Sequence, residues 1–188
     1  MPHHTSMLLE ELAIKYSCDK YYSHSYIDTG FYEQLFSPRK VRRLLEIGIG
    51  YEELMKPLVP KYIHGASLYM WEEYFDKAEI FSCDIRPGTL INKGRIHSVV
   101  CDQYDLRSMN AVAHSFGGNF DVIIDDGCHH TLAQVVSFMA LWPHLTTGGI
   151  YIIEDVGYPD VVSKAIDGEI HIFRKDGRWD DVAVTREK

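Results

Sequence analysis

At 188 residues, with 46% apolar and 24% charged side chains, the chain is expected to form one globular domain with a substantial core. No apolar run approaches the roughly 20 residues of a membrane span, and the N-terminus lacks the basic-then-apolar pattern of a secretory signal. A formal net charge of −8 argues against a broad nucleic-acid footprint, which needs cations to neutralise phosphates. Four cysteines without C-x-x-C spacing (Cys18, Cys83, Cys101, Cys128) predict free thiols in a reducing cytoplasm rather than disulfides or a zinc site.

The apolar spacing predicts an amphipathic helix over Met7–Tyr16. An aromatic and His-rich stretch, Tyr21–Tyr32, follows, and then a short helix around Glu33–Phe36. Val41–Ile47 reads as a buried strand running into Gly48-Ile49-Gly50. Ala66–Tyr74 is expected to be helical. Strands over Glu79–Cys83 and Ile96–Cys101 end in Asp84 and Asp102. A helix is expected over Leu106–Phe116, a strand over Phe120–Ile124, a helix over Thr131–Leu145 and a strand over Ile150–Ile153. Ile170–Arg174 and Val182–Thr185, joined by a turn containing Lys175 to Arg178, predict a closing antiparallel hairpin. Strands alternating with helices imply an α/β fold, a doubly wound Rossmann-like sheet, mostly parallel. Residues 1–188 are expected to be one domain: cover 1–40, cofactor-binding core 41–156, short C-terminal hairpin 157–188.

Acids collect at the predicted strand ends. Asp125-Asp126-Gly127-Cys128-His129-His130 closes one strand and Glu154-Asp155 the next. The helix between them makes a right-handed crossover, so the two strands lie side by side or nearly so, about 5 Å apart if paired. Three carboxylates and an imidazole then gather at the carboxyl edge, where open α/β sheets do their chemistry. At the first strand, Gly48 and Gly50 let backbone approach a ligand closely. Asp84 is placed to accept ribose hydroxyls, and Asp102 ends the third strand. Glu46 beside the glycine turn would repel a pyrophosphate. That favours S-adenosylmethionine, which carries a cationic sulfonium, over NAD.

Lys15-Tyr16-x3-Lys20 with His24 and Tyr26, Leu44–Gly50, Ser67-Leu68-x2-Trp71-x2-Tyr74-Phe75, Cys101-Asp102-Gln103, Phe120–His129 and Gly148–Asp155 give a pattern that resembles class I S-adenosylmethionine-dependent methyltransferases. Within them it is similar to the metal-dependent macrolide-sugar O-methyltransferases, over roughly residues 12 to 156. The resemblance implies S-adenosylmethionine bound by Glu46, Gly48, Gly50, Asp84, Asp102 and Gln103, with Asp125 also near the cofactor. It implies a divalent metal held by Asp126, Glu154 and Asp155, and His129 as general base. An all-carboxylate donor set suits Mg²⁺ better than zinc. The partner it implies is a hydroxyl on a glycosyl or similar small-molecule acceptor.

Two departures stand out. Tyr51–His64 is inserted between the glycine turn and the next helix, as a flap or as a disturbance of the glycine loop. Only about a dozen residues separate Asp155 from the closing hairpin, so the acceptor wall is short. This leaves the site more open, the acceptor different, or the pocket completed by another subunit in a homo-oligomer. A catechol-like O-methyltransferase and a non-catalytic S-adenosylmethionine-binding module are the alternatives. Tyr21, Tyr22, His24 and Tyr26 are open between a lid over the cofactor and a packing cluster.

Overall fold

The computed structural model describes residues 3–24, 26–27, 30–37, 39–159, 164, 169–175 and 179–185. Five strands, β1 (Arg43–Ile47), β2 (Glu79–Asp84), β3 (Ile96–Val100), β4 (Phe120–Asp125) and β5 (Leu145–Val156), pair in parallel in the order β3-β2-β1-β4-β5. Helices cover both faces, so β1, β2 and β4 are buried almost throughout, while the edge strand β3 alternates buried with partly exposed residues. Leu44, Ile80, Val122, Ile124 and Ile152 pack on one face with Leu68 and Trp71. Leu45, Ile47, Phe81, Ile123 and Ile153 pack on the other with Met109, Val112 and Leu141. Adjacent residues on a strand point to opposite faces, and this alternation sorts the two layers.

On the first face lie α1 (His3–Tyr16), α2 (Asp19–Tyr22), α3 (Phe31–Phe36) and α5 (Ala66–Tyr74). Tyr16 stacks on Tyr69 at 6.0 Å between centroids and donates its hydroxyl to Glu73, fixing α1 on α5. The other face carries α6 (Leu106–Phe116) and α7 (Thr131–Leu141). Asp105 caps α6 by accepting from Arg107 N, and left-handed Gly117 ends it.

Several boundaries differ from the periodicity, and three of them have a visible cause. The stretch beginning at Tyr21 opens with a helical turn, Asp19–Tyr22, too short to show a period. α7 stops at Leu141, four residues early, and a 3-10 turn holds Trp142–His144. Pro143 lacks the N–H that would continue the helix. β5 begins at Leu145, five residues early, because a register shift opposite Phe120–Val122 absorbs the Gly148-Gly149 pair.

The inserted segment contains a short helix, α4 (Glu52–Met55), and leads into α5 at left-handed Gly65. Ser23 Oγ donates to Leu58 O, and Lys61 N to Ser17 Oγ, so the insert lies against the α1–α2 region. Among the described residues no helix is long and apolar enough to cross a membrane. The turn expected at 176–178 lies outside the described residues.

Candidate active site

The strand order reverses between β1 and β4, and chains leaving these two strands diverge to opposite faces. The gap so opened at the carboxyl edge is where ligands enter α/β sheets. A cavity of about 710 Å³ occupies it, running from Gly48, Asp84 and Asp102 at one end to Asp126, His129 and Asp155 at the other.

Gly48 sits at φ +91° and donates its N–H to Cys83 O. A side chain there would stand 2.3 Å from Asp126 O, so the ends of β1 and β4 touch through backbone. Gly50 (φ +74°) leaves room for Met55 of the insert, which lines the same cavity. Asp84 accepts from Ile49 N at 2.9 Å and Arg86 N at 2.8 Å, tying the glycine loop to β2. A carboxylate has about four acceptor positions, so two remain for ligand hydroxyls. The Arg86 guanidinium lies 3.5 Å over the Tyr51 ring at the same mouth. Asp102 accepts from Tyr104 N and lines the cavity.

Gln103 lines the cavity but is committed at both ends: Nε2 donates to Asp125 Oδ1 at 2.6 Å, and Oε1 accepts from Cys128 N at 2.6 Å. It braces the 126–129 loop. Asp125 lies beneath that loop, 1% exposed and absent from the lining. Burial pushes its carboxyl up to about 7 against the hydrogen bond from Gln103.

The centre of the acid cluster holds a lysine. Lys20, fully buried on α2, places Nζ 2.7 Å from Asp126 Oδ2, 2.8 and 2.9 Å from the two Glu154 oxygens, and 3.2 Å from Glu46 Oε1. Burial opposes the ammonium, yet the three carboxylates hold its proton well above the usual lysine range. Burial also opposes the charge on Asp126, but Lys20 and His129 keep it far below the usual carboxylate range. One ammonium cannot balance three buried carboxylates. The surplus falls on Glu46, which burial raises to about 7 despite Lys20. Glu46 also accepts from Trp71 Nε1 at 3.1 Å.

Such a group stabilises the fold below the unfolded carboxyl value of about 4.5 and loses that contribution as pH rises through 7. We therefore expect wild type to lose stability relative to Glu46→Gln between pH 5 and 8, by up to roughly 3 kcal/mol. The constant offset of the amide drops out of the slope. Denaturant unfolding at both pH values checks this, and parallel profiles would rule it out.

Asp155 sits at φ +51° late in β5, which turns its carboxylate to the cavity while Glu154 stays beneath. Tyr26 OH donates to Asp155 Oδ1 at 3.1 Å, and His24 Nδ1 lies 3.5 Å from Oδ2. His129 stands across from them, Nε2 3.3 Å from Asp126 Oδ1 and Nδ1 3.8 Å from Asp155 Oδ2. Burial disfavours its imidazolium, but Asp126, Asp155 and Asp125 together raise it to about 9. Asp126, His129 and Asp155 each offer one donor atom, all within 4.8 Å of one another. Two hard carboxylate oxygens facing an open cavity, with space for waters, fit a Mg²⁺-type ion.

Asp126, Asp155 and His129 thus come together at one end of the cavity, and Gly48, Gly50, Asp84, Asp102 and Gln103 at the other. Glu46, Asp125 and Glu154 lie below it. His24 lines the cavity, whereas Tyr26 is buried among Phe31 and Tyr32 with its hydroxyl on Asp155, so the aromatic stretch divides between wall and packing. Periodicity gives no role to Lys20. Its signal in the sequence is its place in the Lys15-Tyr16-x3-Lys20 pattern, which assigns it no partner.

A five-stranded parallel sheet with a glycine turn after β1 and acids at the carboxyl ends of β2, β3, β4 and β5 is the architecture of class I S-adenosylmethionine-dependent methyltransferases, and this chain has that fold. More particularly, the chain is a relative of antibiotic-sugar O-methyltransferases. It is 35% identical over 148 residues to the 8-demethyl-8-alpha-L-rhamnosyl tetracenomycin-C 2'-O-methyltransferase of Streptomyces olivaceus, covering 79% of this chain and 37% of that protein. To the mycinamicin VI 2''-O-methyltransferase of Micromonospora griseorubida it is 34% identical over 155 residues, covering 79% and 36%. The MycE methyltransferase from the mycinamycin biosynthetic pathway, solved in complex with Mg, SAH and mycinamycin VI, matches with a TM-score of 0.75 at 26% identity, over 96% of this chain and 53% of that one. The chain therefore spans little more than a third of the length of these curated relatives. No protein-family model matches it.

Proposed function

We propose that this chain carries out S-adenosylmethionine-dependent, Mg²⁺-assisted O-methylation of a hydroxyl on a glycosyl or similar small molecule. The observation that carries the reading is the single cavity joining the Gly48–Asp84–Asp102 end to the Asp126–His129–Asp155 end. A donor nucleoside and an acceptor hydroxyl can lie in line within it, and alignment supplies much of the rate in such a transfer. The alcohol oxygen attacks the sulfonium methyl; the new C–O bond forms as the S–C bond breaks, and the hydroxyl proton passes to His129.

In this reading Gly48 and Gly50 admit the methionine part, Asp84 accepts from the ribose, and Asp102 lies at the adenine. Gln103 lines the cavity and braces the 126–129 loop, while Asp125 and Glu46 act from beneath, on Gln103 and on Lys20. A divalent ion held by Asp126 and Asp155 would supply Lewis-acid polarisation of the hydroxyl. His129 must be neutral to take a proton. The base role therefore goes with a site where a cation, and not the imidazolium, balances Asp126 and Asp155.

Asp84→Ala is expected to weaken S-adenosylmethionine binding 10- to 100-fold, the worth of one or two hydrogen bonds to a charged acceptor. Calorimetry with the cofactor tests this, and an unchanged Kd would remove Asp84 from the cofactor site.

We read residues 1–40, 41–156 and 157–188 as cover, core and hairpin of one domain. The hairpin would comprise β6 (Glu169–Lys175) and β7 (Trp179–Thr185). An antiparallel register that sets Ile150 opposite Thr185 and Ile153 opposite Val182 supports it. The free thiols of Cys18, Cys83, Cys101 and Cys128 support a reducing, cytoplasmic setting.

A further inference from the structure

The lysine at the middle of the acid cluster has a consequence for which acids can take a metal. Its ammonium has three protons, and Asp126, Glu154 and Glu46 surround it within 3.2 Å. Lys20 is 0% exposed and Glu154 is 1% exposed, so no solvent reaches this contact. Asp126 is shared. Its Oδ2 meets Lys20, while its Oδ1 is turned to His129 on the cavity side. Glu154 and Asp155 are adjacent in sequence but serve different neighbours. Glu154 gives both oxygens to Lys20, and Asp155, turned by its positive φ, faces Tyr26, His24 and His129. Only Asp126 and Asp155 of these acids line the cavity. An ion entering from the cavity cannot reach Glu154 without expelling a buried ammonium from its three counter-charges. Expulsion of that kind leaves an uncompensated buried charge, the costliest way to break an ion pair.

We propose that the acid cluster is a two-cation site, in which Lys20 is the resident cation of an inner half formed with Glu46 and Glu154, and a divalent ion is confined to an outer half formed by Asp126 and Asp155, with His129 beside it. Asp126 is the wall between them. Lys20 is then a positioning residue: it keeps the ends of β4 and β5 together with no metal bound. Its fixed charge, one carboxylate away, also weakens the outer ion's grip and makes that ion exchangeable. This rests on the metal reading above but departs from the expectation that Glu154 is a ligand.

Titration of the full chain with Mn²⁺ alone, followed by calorimetry, tests the division without any turnover. Glu154→Gln is expected to bind Mn²⁺ within about threefold of wild type, the amide still offering Lys20 an oxygen, while Asp155→Asn binds at least tenfold more weakly. Lys20→Met is expected to bind Mn²⁺ at least tenfold more tightly, because the ammonium no longer competes with the ion for Asp126. Should Lys20→Met fail to fold, the Glu154 and Asp155 comparison decides. Equal losses in Glu154→Gln and Asp155→Asn would overturn the division while leaving the metal site standing. A wild type that takes up no Mn²⁺ would overturn both.

Discussion

Gly48→Ala is expected to abolish measurable S-adenosylmethionine binding and to destabilise the fold by roughly 3 kcal/mol or more. Two costs combine. The residue sits at φ +91°, where a side chain is strained whatever the space. Its Cβ would also lie 2.3 Å from Asp126 O and 2.9 Å from Asp126 C, and both atoms are backbone, so nothing can swing aside. The ends of β1 and β4 must separate. That displaces the glycine turn on one side and Asp126 with His129 on the other, so both ends of the cavity fail together. Gly117→Ala is the matched control: φ is +78°, with nothing within 4 Å of the added carbon. It should lose about 1 kcal/mol, the left-handed cost alone. Melting curves and cofactor calorimetry on both variants separate strain from collision. If the two variants melt together, the backbone contact between β1 and β4 is not what the glycine serves.

His129→Ala is expected to slow methyl transfer by 10²- to 10⁴-fold, the usual worth of a placed acid–base group, with cofactor Kd changed less than about threefold. The reasoning is spatial. His129 lies at the acid end of the cavity, across Asp126 and Asp155 from His24. It is 39% exposed at the side chain, so removing it should cost little stability. Asp126 keeps its place because Lys20 still holds Oδ2. Single-turnover rates with labelled methyl donor, Mg²⁺ and a panel of hydroxylated acceptors give the comparison. His24→Ala belongs beside it, since His24 faces the same Asp155 oxygen. A large loss in His24→Ala with none in His129→Ala would move the proton acceptor to the N-terminal segment.

The amino-acid order alone determined the parallel sheet, because both-face burial leaves short unbroken apolar runs and the intervening helices carry a period near 3.6. It also determined which residues stand at the carboxyl edge: Gly48, Asp84, Asp102, Asp126 and Asp155 each follow directly from where a strand ends. Periodicity is local, so it reported nothing that depends on residues far apart in the chain. Lys20 reaches Asp126 and Glu154 across separations of 106 and 134 positions, and no spacing rule connects them. The opposite directions of Glu154 and Asp155, the brace that Gln103 makes from Asp125 to Cys128, and the division of the aromatic stretch between cavity wall and core are likewise tertiary. Each was decided by which charge or hydrogen-bonding group the packed sheet and helices left without water. A buried polar group must find its partner wherever the fold brings one.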